Sequence, residues 1–137
     1  MNYWIITVAN PWCDSILNGW KTMEVRKTVP SDLHYGDVIF IARKGGHGRI
    51  VGAFLVVSIL SAPVSSFCVH WYSEHRLTSN VLHDYAGSYS SLVGIGLDRM
   101  KLDTWALTVR SFGLERSPQW FYRIRPEYKS TIERVLI

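Results

Sequence analysis

The sequence predicts that residues 1–137 form a single α+β domain, with several strands, short flanking helices and a C-terminal helix. Stretches rich in β-branched and aromatic residues recur between turn signals, as is typical of strands. Helical spacing of apolar residues is confined to short segments and to the end of the chain. Apolar residues make up 47% of the 137 residues, which is enough for one core without disulfides or metal ions.

The first predicted elements are a strand, a helix and a second strand. Residues 3–9 are β-branched and aromatic and indicate a strand. Asn10 suits the N-cap of a helix, Pro11 suits its first position, and Gly19 suits its C′ position. A strand over residues 20–27 follows directly.

The next predicted elements are two strands joined by a glycine-rich loop. Residues 38–42 are continuously apolar, which is typical of a strand buried on both faces. Residues 43–49 contain three glycines and three cations, and they indicate either a flexible turn or a loop that approaches a ligand closely. Residues 50–60 indicate a long strand in which Gly52 marks a bulge or a bend.

The second half of the chain carries weaker patterns. Residues 64–76 and 78–85 indicate helices, whereas the Gly- and Ser-rich residues 88–97 indicate either a weak strand or a loop. Residues 104–112 alternate as a strand does, and residues 120–124 form a short aromatic strand. The final helix begins at Arg125 and Pro126 and has one apolar stripe: Tyr128, Ile132, Val135 and Leu136.

The predicted strand over residues 20–27 has one polar face. Side chains alternate along a strand, so Met23 and Val25 point to one face. The other face carries a hydroxyl, a carboxylate and a guanidinium, from Thr22, Glu24 and Arg26, with the ammonium of Lys21 at its start. Opposite charges two residues apart are often only a surface pair worth under about 1 kcal/mol. The pattern alone therefore indicates either a surface strand or a binding face.

Composition excludes several classes of site. Cys13 and Cys68 lie far apart without a Cys-x-x-Cys spacing, and His70, His75 and His83 lack the spacing of metal ligands. We therefore expect no metal site, no disulfide scaffold and no cofactor. The N-terminus does not resemble a signal peptide, and the longest apolar run is about half a membrane span. These features predict a cytoplasmic protein without a membrane segment.

The charge distribution favours anionic partners. The net charge is +4, and basic side chains outnumber acidic ones in residues 1–60 and in residues 101–137 but not between them. Six tryptophans and seven tyrosines also supply aromatic faces on which bases could stack. Both features are typical of proteins that bind RNA or single-stranded nucleic acid.

The polar strand also carries a family resemblance. Its pattern Gly-x-Lys-Thr-x-Glu-x-Arg, formed by Gly19, Lys21, Thr22, Glu24 and Arg26 after a helix with Ile16 and Leu17, resembles the signature of the ASCH domain family. Residues 35–40, 50–53, 105–107 and 117–118 resemble later segments of that family. Residues 3–5 and the strand that begins at Gly36 and Asp37 also resemble the related EVE domains.

This resemblance implies a PUA-like fold, a small β-barrel of five to seven mostly antiparallel strands with flanking helices. It implies a cleft beside residues 20–27 that binds RNA, another single-stranded nucleic acid, or a nucleoside. The predicted ligand-binding residues are Trp12, Trp20, Lys21, Thr22, Glu24, Arg26, Arg43 and Lys44. The sequence does not indicate an oligomeric state.

Two enzymatic alternatives remain beside the binding module. Some ASCH proteins are amidohydrolases that deacylate N4-acetylcytidine with a lysine and a threonine from this motif and a glutamate from elsewhere. Lys21 matches that lysine, but Glu24 stands at the threonine position, and Glu74 is only a guess for the other glutamate. Lys21 and Glu24 are the candidate catalytic residues under this hypothesis. A ribonuclease is the weaker alternative because no histidine pair supports it.

Overall fold

The computed structural model describes residues 1–103 and 106–136, which form six strands and five α-helices. The strands are β1 (Tyr3–Val8), β2 (Met23–Arg26), β3 (Val38–Arg43), β4 (Ile50–Pro63), β5 (Ser91–Met100) and β6 (Tyr122–Arg123). The helices are α1 (Trp12–Leu17), α2 (Val64–Val69), α3 (Tyr72–His75), α4 (Ser79–Ala86) and α5 (Lys129–Val135), with two 3₁₀ turns at Val109–Phe112 and Pro126–Tyr128.

The strands form one sheet in the order β2, β5, β4, β3, β1, β6. Strands β1 and β3 pair in parallel, and the other neighbours are antiparallel. The parallel pair needs a crossover, and residues 9–37, which include α1 and β2, supply it. The α+β class with mostly antiparallel strands is therefore confirmed.

The predicted closed barrel is not observed among the described strands, because β2 and β6 end the sheet without pairing with each other. Among the described residues, β6 pairs only with Trp4 and Ile5, so no described strand pairs with the C-terminal half of β1 on that side. A side chain crosses this gap instead: Arg26 Nη2 of β2 donates to the carbonyl oxygen of Thr7 at 3.0 Å. The sheet thus leaves a seam where a ladder of backbone bonds would close a barrel.

The bulge predicted near Gly52 is confirmed. Ile41 pairs with Gly52 but Ala42 pairs with Ile50, so Val51 is the extra residue in β4. A Cβ at Gly52 would lie 2.9 Å from a methyl carbon of Leu17, the last residue of α1. Glycine at this position lets α1 pack directly on the sheet.

Three apolar clusters hold the elements together. One cluster joins α1 to the sheet through residues such as Trp4, Cys13 and Ile16. The second lies under α5 and confirms the stripe predicted on that helix, since Ile132 and Val135 are buried in it. The third cluster packs α2 and α4 on β2 and β5 through Met23, Val25, Phe67, Leu82 and Leu92. The third cluster fixes β2, although that strand has only one paired neighbour in the sheet.

Several predicted elements are wrong or shorter than expected. The predicted strand over residues 104–112 is wrong for the residues described, since Val109–Phe112 is a 3₁₀ turn; residues 104 and 105 lie outside them. The predicted helix over 64–76 is broken because Trp71 adopts a left-handed φ of 64°. Of the two alternatives for residues 88–97, a weak strand or a loop, the structure shows a strand, β5. The predicted strand over residues 120–124 is shorter than expected, because among the described residues only 122 and 123 pair with β1. Helix α1 has Pro11, not Asn10, at its N-cap.

Candidate functional site

A cavity of about 590 Å³ lies at the seam between β1 and β2 and is covered on another side by α4. Its charged lining comes from Lys21, Glu24, Arg26 and Lys44, and its aromatic lining comes from Trp12 and Tyr85. Apolar side chains of β1, β2 and α4 and the segment 117–119 complete the walls. This volume falls within the range of small-molecule sites in proteins, about 300–1,000 Å³.

Five of the eight predicted ligand-binding residues line this cavity: Trp12, Lys21, Glu24, Arg26 and Lys44. The other three do not. Thr22 is exposed and precedes β2. Trp20 is half-exposed, and the guanidinium of Arg76 lies 4.6 Å from the centroid of its ring. Arg43 forms an ion pair with Asp14. Glu74, the guess for a second catalytic glutamate, is also not a lining residue.

Glu24 and Arg26 form a rigid pair at the wall of the cavity. Glu24 is 7% exposed, and its Oε2 accepts from Arg26 Nε at 2.9 Å and lies 2.8 Å from Arg26 Nη2. Arg26 also donates to Thr7 and stacks 5.9 Å from the Phe121 ring centroid. The second carboxylate oxygen, Oε1, has no hydrogen-bond partner in the part of the chain that the structure describes. It can therefore accept from a ligand without breaking an existing bond.

Lys21 is the most deeply buried charged group of this site. Its side chain is 1% exposed, and Nζ donates to the carbonyl oxygen of His75 at 2.6 Å. Burial lowers the pKa of Lys21 to about 8; the nearby Glu24 charge opposes this shift and the Arg26 charge adds to it. None of the ion pairs formed by the described residues includes Lys21. The lowered pKa makes the neutral amine easier to reach near pH 7 than it is in an exposed lysine.

The carbonyl that holds Lys21 is itself fixed by the His75 ring. The backbone N–H of Leu77 donates to His75 Nδ1 at 2.9 Å, so Nε2 carries the proton and donates to the carbonyl oxygen of Phe67 at 2.8 Å. The ring is fully buried, and this burial lowers the His75 pKa. A neutral histidine thus ties α2 and α3 to the segment that precedes α4 and positions the acceptor for Lys21.

One wall of the cavity was missed by the sequence analysis. Leu77, Val81 and Tyr85 line the cavity from α4 and the residues before it, and they are spaced four residues apart. The Tyr85 hydroxyl accepts from the backbone N–H of Lys27 at 3.2 Å, and burial raises the Tyr85 pKa. The spacing was a usable signal for a helical stripe, but nothing local indicates that this stripe faces β2.

Residues 1–103 and 106–136 contain no group of three or more His, Cys, Asp or Glu side chains arranged to hold a metal ion. None of the helices that the structure describes is long and apolar enough to cross a membrane.

The open sheet with its lateral helices and seam cavity defines a small PUA-like α+β domain. The model of the ASCH domain family matches residues 6–122, most of the chain, so the protein belongs to this family, in which nucleic-acid binding is common. None of the curated proteins matches the chain significantly.

Solved structures of ASCH proteins share the fold. The ASCH protein of Zymomonas mobilis superimposes with a TM-score of 0.82 at 15% identity, over 98% of this chain and 96% of that one. A tyrosine-to-phenylalanine variant of the Zymomonas protein gives 0.82 at 15% identity over 100% of both chains. A serine-to-alanine variant gives 0.80 at 16% identity, over 96% and 94%. These identities support the shared fold alone.

Proposed function

We propose that the protein binds single-stranded nucleic acid, and RNA in particular, by taking one nucleoside unit into the cavity at the seam. The observation that carries the proposal is the lining itself: the cavity combines a buried carboxylate with an unused oxygen, a buried ammonium and two aromatic side chains. Unstacked bases are read by hydrogen bonds to their edges and by stacking on aromatic faces.

Each lining group has a role that its chemistry suits. Glu24 Oε1 accepts a hydrogen bond from an exocyclic amine of the base, and Arg26 holds that carboxylate in place. Charged Lys21 donates to a base carbonyl from the same wall. Trp12 and Tyr85, which are 37% and 38% exposed, offer faces for stacking. Lys44, at the rim, neutralises a phosphate.

Substitution of Tyr85 tests this proposal. Tyr85→Leu removes one aromatic face, so its affinity for a short oligocytidylate should fall roughly 5- to 150-fold, since stacking contributes about 1–3 kcal/mol per base. Tyr85→Phe keeps the face and should bind as the wild type does. The matched control is Tyr35→Leu, because Tyr35 is 76% exposed and does not line the cavity. Fluorescence anisotropy measures all four proteins; equal affinity of Tyr85→Leu and Tyr35→Leu would contradict binding in the cavity.

A second candidate function is an amidohydrolase acting on an N4-acylated cytidine. The observation that favours it is the buried Lys21, whose pKa is lowered to about 8. A neutral amine at this position takes a proton from water while the resulting hydroxide attacks the acyl carbon; the C–N bond then breaks, and the cytosine amine leaves with the proton from Lys21. Glu24, at the threonine position of known ASCH amidohydrolases, would have to orient the water or the amide.

Chromatography of N4-acetylcytidine incubated with the protein separates the two candidates. Release of cytidine by the wild type, lost in Lys21→Met, would establish the hydrolase. If no cytidine forms even when protein and substrate are at equal concentrations, the hydrolase is contradicted and the binding module remains the proposed function.

A further inference from the structure

A second concavity, a groove of about 970 Å³, lies at the ends of β3, β4 and β5. Among the residues that the structure describes, four cationic side chains line it, Arg43, Arg49, Arg99 and Lys101, against one carboxylate, Asp103. Its floor is apolar and includes Ile50 and Met100. The excess of cations over anions makes this groove a surface for an anionic chain.

Two of these cations, Arg99 and Lys101, form no ion pair with the described residues, whereas Arg43 does. Arg43 is paired with Asp14, with Nη1 and Oδ1 2.7 Å apart. Arg99, by contrast, donates to the carbonyl oxygen of Leu17, a neutral partner that fixes the guanidinium without cancelling its charge. Lys101 is exposed and makes no hydrogen bond or ion pair with the described residues.

One loop separates the groove from the seam cavity and belongs to both. Arg43 and Gly46 line the groove, whereas Lys44 and Gly45 line the cavity. The loop is fixed at its start, where the Lys44 N–H donates to the Val8 carbonyl at 2.9 Å. Gly45 has a φ of 76° and open space beside its Cα, so a ligand can cross the loop close to its backbone. An extended ligand can therefore occupy both concavities.

We infer that the groove binds the phosphodiester backbone of the same strand whose base occupies the cavity. The inference rests on the proposed function and adds a second contact surface, at which the phosphates flanking the bound nucleoside are held. A free nucleoside fills only the cavity and carries no phosphate for Arg99 and Lys101. A strand gains both the base contacts and the ionic contacts, and only the ionic ones depend strongly on salt.

The test compares oligocytidylate with cytidine on variants of the groove. The double variant Arg99→Gln, Lys101→Gln should bind oligocytidylate about 10- to 30-fold more weakly at about 0.1 M salt, and its log–log salt slope should fall by about 1.4, since each neutralised phosphate contributes about 0.7. Its affinity for cytidine should not change. The control Arg125→Gln, Lys129→Gln removes the same charge from two exposed residues that line neither concavity and should match the wild type.

A single variant avoids the loss of the Arg99 bond to Leu17. Lys101→Gln alone should weaken oligocytidylate binding about fivefold, with a slope change of about 0.7. Equal affinities of groove and control variants for oligocytidylate would overturn the groove while leaving the cavity intact. If the groove variants lose salt-dependent binding of oligocytidylate while Tyr85→Leu keeps it, the cavity is not the site that binds the base. Equally tight binding of an oligoglutamate, lost in the same groove variants, would overturn the assignment to a phosphodiester.

Discussion

Between pH 8 and pH 10.5, the wild type is expected to become more stable relative to Lys21→Met. The difference between their free energies of unfolding should rise by up to about 3 kcal/mol over this range. The folded pKa of Lys21 is about 8 and its ordinary value is 10.5. Between these values the unfolded chain holds more protons than the folded one, so stability increases as the pH rises. Below pH 8 both states are protonated, and the difference between the two proteins should be constant.

Urea unfolding at a series of pH values measures this difference. Methionine has a similar length and does not titrate, so other groups that titrate in this range cancel when the two curves are subtracted. Lys129→Met is the control, because Lys129 is exposed and its substitution should give a curve parallel to the wild type. A Lys21→Met curve that is also parallel from pH 7 to pH 10.5 would show that Lys21 is not held in a desolvated position.

Glu24→Gln is expected to weaken the binding of a cytidine-containing strand by about 10- to 150-fold. The carboxylate oxygen Oε1 accepts a charge-assisted hydrogen bond from the cytosine amine in our proposal, and such bonds contribute about 1.5–3 kcal/mol. Glutamine keeps the shape of the side chain but can present an N–H group to that amine. It also loses the ion pair with Arg26 that fixes the orientation of Oε2.

Uridine-containing strands give an internal control for the same substitution. Uracil has a carbonyl where cytosine has the amine, and the glutamine amide can donate to it, so Glu24→Gln should reduce or reverse the preference for cytidine. Glu133→Gln, at an exposed position on α5, should leave both affinities unchanged. Equal losses for cytidine and uridine strands would mean that Glu24 does not contact the base edge.

The parts of the fold that depend on local pattern could be predicted from the sequence. The helix ends near Gly19 because its φ of 84° suits glycine, and β2 follows because its alternation buries Met23 and Val25. The same alternation brought Glu24 and Arg26 to one wall. Trp20 and Thr22 fall outside the cavity because they lie in the turn before β2, where the period of two does not yet apply.

The remaining features depend on contacts between distant segments. Tyr85 lies opposite β2 only because the third apolar cluster packs α4 against that strand. The burial of Lys21 depends on the carbonyl of His75, 54 residues away along the chain. The open seam depends on how short β6 is, and the aromatic pattern over residues 120–124 predicted a longer strand than the two residues that pair. No local pattern encodes these pairings.

The most direct test of the central claim is a crystal structure of the protein with a short oligocytidylate. Our account predicts one cytosine in the seam cavity, with its amine within hydrogen-bonding distance of Glu24 Oε1 and its ring against Trp12 or Tyr85. Lys21 should keep its bond to the His75 carbonyl and also donate to a base carbonyl. A strand bound with every base outside this cavity would contradict the account.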